Sequence, residues 1–217
     1  MLINQLNEII SERHLLKHMY YQAWSNGELT RDMLRDYSID HAKLVEEFPK
    51  ILTRIHTYCP EMAARKVLTE NLADEEIHGK DHLTLWMQFA EGMGATDAHV
   101  KAHTILPETR KMIDTFYALA ERDWRDGLCA LYAYEYQVPE VAASKIAGLK
   151  QFYGIHDERT LEFFTAHQQY DVEHSQQVAT LIEQFVEPER AARATKEAAD
   201  ALWGFLDGMS RISGIQC

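Results

Sequence analysis

Apolar residues recur at steps of three and four along nearly the whole chain, and nowhere do several alternating β-branched runs follow one another. That period belongs to helices packed by one face, so the predicted fold class is all-α. Capping and breaking residues divide the pattern into helices over 2–12, 15–26, 30–58, 61–93, 107–122, 124–153, 157–186 and 188–212, a compact bundle of seven or eight. Thr30, Asp97 and Asp157 read as amino-terminal caps, and Gly27 and Gly154 as helix ends. Pro49 and Pro139 fall inside apolar-periodic stretches, where a missing N–H predicts kinks rather than helix ends. No linker, repeat or low-complexity stretch divides the sequence, so a single domain over 1–217 is expected.

Three of the stripes carry ionisable residues where core should be. Leu68, Leu72, Glu75, Gly79, His82, Trp86 and Phe89 form one, apolar at its ends and polar in the middle. Phe164, His167, Asp171, His174, Val178 and Leu181 form a second. In the third, Leu128, Leu131, Glu135, Val138, Ala142, Lys145 and Leu149, Glu135 is the only charge between Cys129 and Val138. An unpaired buried charge costs several kcal/mol, so three helices with such groups need a common partner. A pair of divalent cations supplies one. Seven residues of helix return a side chain to nearly the same face about 10 Å along the axis. On that spacing Glu75 and His82, and likewise His167 and His174, reach different metals of a pair ~3.5–4 Å apart, with Glu135 or Asp171 free to bridge. Oxygen-rich ligation with three imidazoles and no thiolate suits iron or manganese better than structural zinc. Two plainer readings compete: a hydrogen-bonded polar network without metal, and, for the first stripe, ligation by His78 through the Glu75-x-x-His78 spacing of ferritin-like bundles.

Composition narrows the function classes. Asp and Glu outnumber Lys and Arg by 34 to 22, and no basic run interleaves with aromatics, which excludes a nucleic-acid binder. No apolar stretch is long enough to span a bilayer, and the amino terminus lacks the order of a signal peptide, so a cytoplasmic protein without a membrane partner is expected. Cys59, Cys129 and Cys217 lie far apart with no CxxC spacing, against a disulfide framework or a thiolate site. His14, His18, His41, His56, His99, His103 and His156 are read as surface or structural.

The segments NLADEEIHGKDHLTLW, LYAYEYQVPEVAASKIAGL and AHQQYDVEHSQQVATLIE resemble the family of the chlamydial protein associating with death domains. That family lies within the haem-oxygenase-like, TenA and PqqC-like group. The likeness runs from HLLKHMYYQAWSNGELT to LWGFLD, nearly the whole chain. It implies a seven-helix fold without haem, carrying a dimetal site of iron with iron or iron with manganese. The family's glutamate and histidine seven apart select Glu75 with His82 over His78, and its other ligands fall on Glu135, His167, Asp171 and His174.

The resemblance further implies a 4-aminobenzoate synthase serving folate biosynthesis, self-sacrificing, with its own tyrosine as ring source. That tyrosine falls at Tyr21, beside Tyr20, and the proposed amine donor ten residues past the middle glutamate falls at Lys145. Tyr37 matches a second tyrosine of the pattern. The implied co-reactants are O2 and an external reductant, with no separate organic substrate and a homodimeric assembly. Burial of Lys145 on the shoulder of its stripe would leave it partly neutral and nucleophilic, unless a core carboxylate pairs with it. Two other functions fit the same residues: a multiple-turnover dimetal oxidase of a separate small molecule, and a metal-independent partner-binding protein.

Overall fold

The computed structural model describes residues 1–215. Among these it contains eleven α-helices and a 3-10 turn over Leu15–Lys17. The helices are α1 (Leu2–Glu12), α2 (Met19–Ser25), α3 (Arg31–Tyr58), α4 (Met62–Glu76), α5 (His82–Gly92), α6 (Asp97–Ala102), α7 (Pro107–Arg122), α8 (Trp124–Glu135), α9 (Val138–Phe152), α10 (Glu158–Phe185) and α11 (Pro188–Ser213). The α-helix count exceeds the expected seven or eight because the stretches 61–93 and 124–153 each split into two, and because α6 is short and carries no apolar period of its own; 15–26 splits into the 3-10 turn and α2.

Each break has a local cause. The stretch 61–93 parts into α4 and α5, since Gly79 takes a left-handed φ of 76° and the Asp81 carboxylate accepts the Thr84 N–H at 2.8 Å to restart the helix. The stretch 124–153 parts after Glu135. Pro139 does not kink a continuous helix but stands in the first turn of α9, where its missing N–H leaves no ladder bond unmade. In 15–26 the imidazole of His18 accepts the Tyr20 N–H at 3.1 Å and caps α2. Pro49, by contrast, lies inside an unbroken α3. Thr30 and Asp157 cap α3 and α10 as expected, whereas α6 is capped by Thr96 and Asp97 is its first residue. Thr96 rather than Asp97 lies three residues before the His99 N–H that its hydroxyl accepts, at 3.2 Å.

The core is one continuous apolar cluster that includes Leu6, Trp24, Leu34, Trp86, Phe89, Phe116, Leu131 and Phe164. Helix α10 runs through its middle and packs on α4, α5, α8 and α9. The polar interruptions of those helices therefore face the polar interruption of α10. No helix among the described residues is long and apolar enough to cross a membrane. Cys59 and Cys129 are buried free thiols, and Cys217 lies outside the described residues.

Candidate metal centre

All six residues from the interrupted stripes are buried, each 6 % exposed or less. They converge in two groups whose potential ligand atoms lie within 4.8 Å of one another: Glu75 with His82 and His167, and Glu135 with Asp171 and His174. His167 and His174 fall in different groups, as two turns of the unbroken α10 require. Glu75 and His82 do not: they share a group. The seven-residue spacing separates ligands only along a continuous helix, and here the chain leaves α4 after Glu76 and re-enters helix at His82. The turn folds His82 back, so that its Nδ1 lies 2.8 Å from Glu75 Oε2. Glu135 and Asp171 sit together in the second group rather than one of them standing between two.

Hydrogen bonds orient the rings. His167 Nδ1 donates to the Phe163 carbonyl at 2.7 Å, which leaves Nε2 as the free lone pair. His174 Nε2 is 2.8 Å from Asp74 Oδ2, which leaves Nδ1 toward Asp171. His78 is exposed and bonds the other oxygen of Asp74 at 2.8 Å, so it stands behind the second group and ligates nothing in the first. Asn71, one helical turn before Glu75, donates to Glu135 Oε1 at 2.6 Å. Asn71 lies one turn from Glu75 on the same face, yet as a neutral amide beside Leu72 it carries no charge to mark it. Asp74 lies beside the stripe, and no periodicity marks it. Replacing Asp74 by alanine should weaken metal retention about 10–100-fold, because His174 loses the partner that fixes its ring; a competitive chelator titration measures it.

The electrostatics of the site call for cations. Burial, and then the Asp171 charge, raise the Glu135 carboxyl to about 8. Burial likewise raises Asp171 to about 6. Glu135 Oε2 and Asp171 Oδ2 are buried without any hydrogen-bond partner. Burial and the neighbouring His82 lower His167 to about 3 and keep it neutral, the form that ligates. For His174 burial acts downward, but Asp171, Glu135 and Asp74 outweigh it and raise it to about 9. Orphaned carboxylate oxygens beside correctly oriented imidazoles are what divalent ions would satisfy, and the donor set of three imidazoles and three carboxylates fits iron or manganese.

Next to this centre lies a second cluster. Lys145 is buried with no carboxylate partner among the described residues, and burial alone lowers its amine to about 7. Its Nζ lies 2.7 Å from the Tyr37 hydroxyl, which is in turn 2.8 Å from the Tyr21 hydroxyl. The same Nζ sits 4.6 Å from the centre of the Tyr21 ring and 4.8 Å from that of Tyr37. Tyr20 is turned away, its hydroxyl donating to the Met33 carbonyl. Tyr21, Lys145 and His167 line one cavity of about 30 Å³, together with His41 and Tyr134, two further residues with no earlier mark as site residues. Tyr134 also lines a void of about 10 Å³ with Glu75, His167 and Asp171, so it stands between the two clusters.

Residues 35–205 match the model of a family described as iron-containing redox enzymes. The chain belongs to that family. Among curated members of wider similarity, it is 41 % identical to the 4-aminobenzoate synthase of Nitrosomonas europaea, over 94 % of this chain and 89 % of that one. It is 36 % identical to the 4-aminobenzoate synthase of Chlamydia trachomatis, over 94 % of this chain and 90 % of the other. A TenA homologue from Pseudomonas syringae superposes with a TM-score of 0.83 at 18 % identity, covering 97 % of this chain and 91 % of its own. The iron-containing redox family thus takes here the helical haem-oxygenase-like fold shared with TenA proteins.

Proposed function

We propose that this chain is an O2-dependent 4-aminobenzoate synthase that consumes its own Tyr21 as the ring and the Lys145 amine as the nitrogen. The observation that carries the reading is spatial. The cavity bounded by Tyr21, Lys145 and His167 holds about 30 Å³, room for a water or a diatomic gas and far below the ~300 Å³ at which ligand pockets begin. A separate aromatic substrate does not fit, whereas two aromatic rings of the chain already lie under a partly neutral amine. The names of the relatives at 41 % and 36 % identity support the same product. Ring chemistry agrees: in tyrosine the hydroxyl and Cβ are para to each other, as the amino and carboxyl groups are in 4-aminobenzoate.

Each residue then has a role. Glu75, His82 and His167 would hold one ion and Glu135, Asp171 and His174 the other, as iron with iron or iron with manganese. Such a pair, when bound and reduced by an external reductant, supplies the activation of O2. Lys145, kept partly neutral by burial, offers its lone pair beside the Tyr21 ring. The Tyr37 hydroxyl, between the amine and the Tyr21 hydroxyl, holds both in place and is positioned to relay a proton between them. Trp24, Phe164 and the tyrosines close the site against water.

Intact-protein and peptide mass spectrometry before and after reaction with iron, a reductant and O2 tests this. About one product per chain is expected, with mass change confined to the Tyr21 and Lys145 peptides. Product released in many equivalents, or with Tyr21 intact, would sink the self-sacrificing step.

A further inference from the structure

A larger space lies on the other side of α5. Helices α3, α5 and α6 and the segment leading to Pro107 enclose a groove of about 870 Å³, within the range of small-molecule sites. Its walls are apolar, with Ile39 from α3, Leu83 and Met87 from α5, and Val100 and Ile105 opposite. Helix α6 buries none of its six residues, so it spans the groove without filling it. What holds this cover is a latch at its far end: the buried Asp40 carboxylate accepts the Leu106 N–H at 2.9 Å, His103 Nε2 at 2.7 Å and the Thr109 hydroxyl.

The charge of the groove runs against that of the chain. Lys43, Lys101 and Arg110 line it against Glu46 and Asp97, one net positive charge in a chain of net −12. Lys43 is committed to Glu46 and Glu47, but Lys101 and Arg110 make no ion pair among the described residues. The amino-terminal turn of α7 adds its partial positive charge beside Pro107. Unpaired cations over an apolar slot suit an apolar ring system that carries phosphate. Leu83, on the wall, directly follows His82 of the first ligand group.

We propose that this groove binds a phosphate-bearing dihydroflavin, the external reductant of the reaction. The inference rests on the functional reading above for its need of electrons. A dihydroflavin acting so would lose two electrons and two protons and leave as the oxidised ring, the protons going to solvent and the electrons serving the reduction that ions held by the two ligand groups would require.

The metal-free full chain, titrated against flavin mononucleotide and followed by flavin fluorescence, tests the site without any turnover. Saturation at one flavin per chain is expected, at least tenfold weaker for riboflavin, which lacks the phosphate, and for the double variant K101E/R110E. Both substituted residues are exposed, and an unchanged thermal melt by circular dichroism confirms the variant's fold. Resistance to displacement by NADH supports the flavin assignment, and displacement by NADH at concentrations equal to the flavin overturns it. Absent saturation, or equal binding by riboflavin or by the variant, overturns it. Since no product is measured, this result and the fate of Tyr21 stand or fall separately.

Discussion

Replacing Lys145 with methionine will abolish 4-aminobenzoate formation and, at the same time, stabilise the metal-free chain by about 4 kcal/mol at pH 7. The loss of product follows from the role proposed for Lys145 as nitrogen source. The gain in stability follows from burial: a lysine amine at about 7 in the folded chain and at 10.5 unfolded is penalised at ~1.4 kcal/mol per pH unit of difference. Methionine is unbranched, of similar length and without charge, and it leaves the Tyr37 hydroxyl its Tyr21 partner at 2.8 Å. The sign with pH is equally definite. Between about 7 and 10.5 the unfolded chain binds more protons than the folded one at this residue, so the wild-type protein gains stability as pH rises through that window. The methionine variant lacks this contribution. Urea denaturation at pH 7 and pH 9.5 reads both effects, and equal stabilities with equal pH slopes would contradict the buried, depressed amine.

Loading the metal-free protein at pH 7 will release about two protons from the second ligand group, and apparent affinity there will climb about a hundredfold per pH unit between about 6 and 8. Glu135 at about 8 and His174 at about 9 are both largely protonated at pH 7, yet each must give up its proton to ligate. Competition by protons therefore weakens binding as pH falls. In the first group His167 at about 3 is already neutral, whereas for His82 burial acts downward but Glu75 outweighs it and raises the ring, so proton release there comes from that one imidazole. Calorimetry of metal binding in two buffers of different ionisation enthalpy counts the protons. Glu135→Gln should cut the count by about one and weaken binding at that group. Heats that do not depend on the buffer would show that these groups are not ligands.

Much of this molecule is legible along the chain because buried helix faces have a strict period. Glu75, His82, Glu135, His167, Asp171 and His174 betray themselves as charges where that period demands apolar residues, and all six are buried in the fold. Lys145 is marked the same way, as a cation on the shoulder of an apolar stripe. Periodicity alone does not register the short-range events that end helices. Gly79 and Asp81 break one stripe and Pro139 another while the apolar spacing runs on across both breaks. The consequence is chemical: the pairing of Glu75 with His82 comes from a turn that the stripe conceals.

The sequence by itself determined the all-α class, the stripes, and which side chains had to be buried with charge on them, since each depends only on spacing along one helix. Only the tertiary structure decided how those side chains are grouped, that Asp74 and Asn71 orient them, and that Lys145 lies over Tyr21 and Tyr37 in a cavity too small for another ring. Those relations join residues up to 124 positions apart, as between Lys145 and Tyr21. No local pattern records such distances, because they are set by which helix faces exclude water from one another when the bundle closes.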